Sequence, residues 1–220
     1  MSNEYNYNVF QFLRQNETFH SGMIAAIVAH DKKCWNSFFD MLKRNSNDEK
    51  IDDLRNSIVH DNSNHQWIDT EVNLKETISD ISVVRKRGRA DIWIGSNNYH
   101  DKDAIRYRLI IENKINAGNQ DHQLRRYYRY LTGEGRANSG LFFLCKEKKE
   151  EFNLQAQESA VVYSKESNGK EKENTQYEII TYKDDIIPWL KRVIVEAGDT
   201  DFIVIVKQYL EIVKSLVGLK

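Results

Sequence analysis

Cysteine is scarce in this 220-residue chain: Cys34 and Cys145 are the two present, far apart and without CxxC spacing. That excludes a disulfide framework and a cysteine zinc site, and it suits a reducing cytoplasm. A basic start followed by an apolar stretch is missing, so a secretory signal is not expected. Long apolar runs are missing too, and the mean hydropathy of −0.67 points to a soluble protein with no membrane partner. Net charge is also lacking, at −1, so the overall balance does not advertise nucleic acid. Internal repeats, a helix-turn-helix pattern, a zinc-finger pattern and an aromatic stacking platform are likewise absent, which leaves no recognisable base-reading module. The length allows one domain, residues 1–220, with a sizeable core.

What is present is periodic. Residues 5–30, 33–44 and 48–59 carry apolar stripes at helical spacing and give a helical N-terminal region, 1–60. Strands are expected at 66–74, 90–94, 107–115, 140–145, 160–163 and 177–182, within a core spanning 65–182. The charged tract 165–175 has loop composition. Helices at 184–196, with Pro188 in the first turn, and 200–217 complete a C-terminal helical region, 183–220. Helices, then a mixed sheet with a crossover helix, then helices: this order predicts an α/β domain.

Chemistry concentrates between 88 and 131, GRADIWIG…LIIENKI…QLRRYYRYL. Glu112 and Lys114 are two apart on a strand and therefore share a face. Asp91, on the preceding strand, can supply a second carboxylate at the same edge. Two carboxylates and an amine around one point suit a hard divalent cation. Charge is also local. Arg85, Lys86, Arg87 and Arg89 form a basic run before Asp91, placed to hold phosphates. From Arg106 to Arg136 seven Lys/Arg face three acids, and Arg125, Arg126 and Arg129 share one side of the expected helix, where a nucleic-acid backbone would lie. A bare Glu-x-Lys means little, since Glu147-Lys148-Lys149 fits as well. The bland reading of Glu112 and Lys114 is a strand-end ion pair, which would need neither Asp91 nor Gln123.

The combination of GRADI, IIENKI and QLRRY resembles the PD-(D/E)XK nuclease superfamily, with Ala90 in place of the proline of its name. The resemblance implies a restriction-endonuclease-like fold: a central mixed β-sheet flanked by helices. It implies a Mg²⁺-dependent nuclease, with Mn²⁺ as a substitute, acting on nucleic acid, DNA ahead of RNA. A setting in prokaryotic defence or mobile elements goes with it. Asp91, Glu112 and the carbonyl of Asn113 are then metal ligands. Asp91, Glu112, Lys114 and Gln123 are catalytic, and Tyr127 joins Gln123 on the helix that meets water or phosphate. Glu17, in Glu17-Thr18-Phe19-His20-Ser21, resembles a helix glutamate that faces the metal in one branch, whereas His20 reads as a packing residue. The competing readings are a silent nuclease fold that binds nucleic acid or a protein, and a self-association role for helix 200–217, making a homodimer a candidate assembly.

Overall fold

The computed structural model describes residues 15–45, 48–59, 66–73, 89–98, 101–116, 123–132, 139–147, 161–166, 170–174 and 177–219. Three helices open the chain: α1 (Glu17–His30), α2 (Lys32–Lys43) and α3 (Asp48–Val59). Side chains define their starts. Asn16 Oδ1 accepts from Phe19 N at 2.9 Å, and Asp31 Oδ1 accepts from Cys34 N at 2.7 Å, each satisfying an amide that the first turn leaves unpaired. Asp31 is extended, so α1 ends and α2 begins at one residue.

Strands β1 (Gln66–Asn73), β2 (Arg89–Asn98) and β3 (Asp101–Lys114) follow, then α4 (Gln123–Thr132) and β4 (Gly140–Cys145). Next come β5 (Val161–Glu166), β6 (Lys170–Asn174) and β7 (Glu178–Thr181). A wide π turn, Tyr182–Ile186, leads into α5 (Ile187–Glu196), and α6 (Thr200–Leu216) closes the fold. The main sheet has the order β1-β2-β3-β4-β7. Its first three strands are antiparallel and its last three parallel, so the sheet is mixed. The parallel step from β3 to β4 is made through α4, the crossover such a pair requires.

Strand alternation divides the interior. Ile92, Ile94, Leu109, Ile111, Phe142 and Leu144 face a large core shared with α1, α2, α3, α5 and α6. Trp93, Ile110, Leu141 and Phe143 face a smaller one against Leu124, Tyr127 and Leu131 of α4. Gly140 fits because a Cβ there would stand 3.1 Å from Leu54 Cδ2; the absence of a side chain lets α3 close on β4. The apolar stripe of α6 fills the chain's own core through Val206, Tyr209, Ile212, Val213 and Leu216. The result is an α/β arrangement, a mixed sheet with helices on both faces.

Three expectations change. Within the tract expected as a loop, Lys165 and Glu166 end β5 and Lys170–Asn174 form β6, an antiparallel pair. Its register sets Lys165 opposite Glu171 and Glu166 opposite Lys170, a cross-strand order that bulk composition does not register. The helix expected from 184 begins as the π turn. There Thr181 Oγ1 accepts from Asp184 N at 2.9 Å while Asp185 Oδ2 accepts from Thr181 N at 2.7 Å. On α4 the apolar stripe expected from helical spacing, Leu124, Tyr128 and Leu131, is filled instead by Leu124, Tyr127 and Leu131, with Tyr128 partly buried against them. The expected helical stretch 5–14 lies outside the described residues.

Candidate active site

Glu112 and Lys114 project from the end of β3 toward α4, on the face of Trp93 and Ile110. The register pairs Trp93 with Ile110 and Ile92 with Ile111, which brings Asp91 beside Glu112. Asp91 Oδ2 accepts from the backbone N of Asn113 at 2.7 Å, so the peptide between Glu112 and Lys114 orients the carboxylate of the neighbouring strand.

Glu112 is fully buried. Its Oε1 accepts from Gln123 Nε2 at 2.7 Å and forms an ion pair with the Lys114 ammonium. Its Oε2 is buried without a hydrogen-bond partner, and so is Gln123 Oε1. Burial, then the charge of Asp91, push the Glu112 carboxyl up to about 8 against the pull of Lys114. At Lys114 burial disfavours the ammonium, but Glu112, Asp91 and Glu17 outweigh it and hold its pKa above the ordinary lysine value. The centre therefore has two carboxylates, a cationic amine and two buried oxygens with nothing to accept from. Buried polar atoms are almost always paired, so two orphan acceptors at one point mark a place that an electropositive species completes.

A family model described as the PD-(D/E)XK nuclease superfamily matches residues 7–211. The chain belongs to the PD-(D/E)XK nuclease superfamily. No curated protein and no solved structure was found to match it.

PD-(D/E)XK nucleases generally use divalent metals, and the donors here suit one. Mg²⁺ typically takes one or two carboxylates, leaving its other positions to water and phosphate. Asp91 and Glu112, with Glu112 Oε2 unpartnered, form such a set. Glu17 stands at the same strand end: its charge acts on Lys114, and its Oε1 accepts from Ile115 N at 2.8 Å and Asn116 N at 3.3 Å, clamping the chain where it leaves β3.

Gln123 is brought to the centre as expected from the motif. Tyr127 is not a surface contact. It is fully buried, edge-on to Trp93 at 6.3 Å, and its hydroxyl accepts from Gln123 Nε2 at 2.8 Å. It holds Gln123 rather than meeting nucleic acid. Arg125, Arg126 and Arg129 lie on α4 and Arg89 begins β2; Arg85, Lys86 and Arg87 lie outside the described residues. His20 packs as expected, with Nδ1 3.0 Å from the Tyr209 hydroxyl.

Sequence reasoning missed the residues behind Asn113. The Asn113 side chain points away from Glu112 into the large core. There Nδ2 donates to Ser21 Oγ at 3.1 Å and to the Glu17 carbonyl at 3.2 Å, and Oδ1 accepts from the Tyr182 hydroxyl at 2.9 Å. No local spacing relates Tyr182 to Asn113.

Proposed function

We propose that this chain is a divalent-metal-dependent nuclease that hydrolyses phosphodiester bonds, with DNA as its substrate ahead of RNA. The observation that carries the reading is the buried pair of unpartnered oxygens, Glu112 Oε2 and Gln123 Oε1, beside Lys114 and Asp91. Asp91, Glu112 and the backbone carbonyl of Asn113 would hold the ion. When bound, it would neutralise the charge of the phosphodiester and lower the pKa of the attacking water.

The chain's own groups have separable tasks. Asp91 is aimed by the Asn113 N–H. Lys114, kept cationic by the surrounding acids, would donate to the water and to the crowded phosphate oxygens, stabilising charge that grows in the transition state. Gln123 would accept from the water through Oε1 and fix its orientation, its own rotamer being held by Tyr127. Arg85, Lys86, Arg87, Arg89, Arg125, Arg126 and Arg129 would draw the substrate backbone to this edge. A silent binding module has no use for an intact acid–acid–lysine set.

The test incubates purified protein with plasmid, single-stranded DNA and RNA, with Mg²⁺, with Mn²⁺ and with EDTA, alongside Lys114→Ala. Metal-dependent cutting that falls by about 100-fold or more in the variant supports the reading, and the preferred substrate names the class. No cutting by the wild-type protein with either metal refutes it.

A further inference from the structure

Asn113 is the residue between the acid and the lysine, and it is fully buried. On one side its backbone N–H holds Asp91 Oδ2 at 2.7 Å. On the other its carboxamide is held at both ends. The Tyr182 hydroxyl donates to Oδ1, while Nδ2 donates to Ser21 Oγ and the Glu17 carbonyl. A tyrosine donor at one end and a carbonyl acceptor at the other allow a single amide orientation. Tyr182 is itself fixed. It sits in the wide turn that Thr181 and Asp185 close on each other, and its ring meets His20 edge-on at 5.2 Å. His20 in turn reaches the Tyr209 hydroxyl on α6 with Nδ1 at 3.0 Å. Tyr182 and Tyr209 are fully buried.

We propose that Tyr182 is a positioning residue of the active site: through Asn113 it fixes the Asp91 carboxylate and the Glu112–Lys114 segment, and through the His20 ring and Tyr209 it ties that geometry to the C-terminal helix. The inference rests on the nuclease reading above and deepens it. Tyr182 touches neither substrate nor ion. Burial raises its pKa well above the ordinary tyrosine value, so it remains a donor at any working pH. With the hydroxyl gone, Asn113 Oδ1 is a buried acceptor without its partner. The carboxamide is then free to turn, and the peptide that aims Asp91 loses its anchor. Partners one step behind a metal ligand typically change metal affinity or activity by about 10–100-fold. Acting through an intermediary, Tyr182 belongs at the low end.

The test uses the full chain and its Tyr182→Phe variant. Mn²⁺ binding is measured by calorimetry, kcat and KM of cleavage are measured separately, and cooperative unfolding in EDTA serves as the fold control. Val193→Ala, a core truncation on α5, supplies a loss of stability remote from Asn113. The expected result is an Mn²⁺ Kd about 10-fold weaker in Tyr182→Phe, with kcat lowered by a similar factor and KM unchanged. Val193→Ala should keep the wild-type Kd. If Tyr182→Phe does not fold, Ser21→Ala is read instead; it removes the other side-chain partner of Asn113 and should weaken Mn²⁺ binding by about threefold, part of the same effect. Wild-type affinity and kcat in a folded Tyr182→Phe protein, or in Ser21→Ala where that stands in, would overturn the proposal and leave the nuclease reading intact. An equal loss of affinity in Val193→Ala would also overturn it. A wild-type protein that neither binds Mn²⁺ nor cuts would overturn both.

Discussion

The buried Glu112 carboxyl should make the metal-free protein less stable as pH rises, and Glu112→Gln should remove that dependence. Its pKa moves from an ordinary 4.5 to about 8 in the folded chain. Each tenfold change in proton affinity is worth about 1.4 kcal/mol, so keeping Glu112 ionised and buried costs on the order of 5 kcal/mol. The sign follows from where the proton sits. Below about pH 4.5 both folded and unfolded chains carry it. As pH rises the unfolded chain releases it first and is favoured, and the loss is complete once the folded carboxyl ionises near pH 8. Glutamine keeps the shape and the Oε1 acceptor without the charge. In the variant Lys114 loses Glu112 but keeps Asp91 and Glu17 as counter-charges, so the slope of stability with pH is the informative quantity. In EDTA, thermal unfolding should show the variant gaining on the wild type by several kcal/mol between pH 5 and pH 8.5, on the order of 10 °C for a chain of this size. Mn²⁺ should raise the wild-type midpoint at pH 8.5 and leave the variant unmoved, because a cation at Glu112 favours the ionised form. A wild-type-minus-variant difference that is flat with pH, or equal stabilisation of both by Mn²⁺, would refute the reasoning.

Asp31→Ala should lower stability by about 1 kcal/mol, the usual worth of a side-chain N-cap. The Cys34 N–H holds the Asp31 carboxyl below its ordinary value. The cap's contribution is therefore present above the ordinary aspartate pKa and lost as pH falls through the lowered one, which an acid titration of wild type and variant by circular dichroism would show. Cys34 is buried, and desolvation, followed by the neighbouring Asp31, pushes its thiol up to about 12. It should resist alkylation at pH 8 in the folded protein and react fully in denaturant; rapid labelling of the native chain would contradict that placement.

The local pattern of the sequence determined the elements around the centre and the identity of its polar residues. Period-two spacing put Glu112 and Lys114 on one strand face, and GRADI and QLRRY supplied Asp91 and Gln123. Those are short-range facts, fixed by backbone geometry within a few residues. The pairing of β5 with β6 escaped notice because no window along one strand sees its partner. Helical spacing put Tyr127 beside Gln123, but that it is fully buried against Trp93 could not be read from spacing, which gives a helix face and not what that face packs against. The motif brought Glu17 to notice, but its bond to the backbone of Ile115, 98 positions away, is set by the packing of α1. The anchoring of Asn113 by Tyr182 belongs wholly to the tertiary structure. Its residues are brought together by packing across the large core, 69 positions apart. The chain thus determined which polar groups stand at the centre, and the packing of α1, the π turn and α6 decided how firmly they are held.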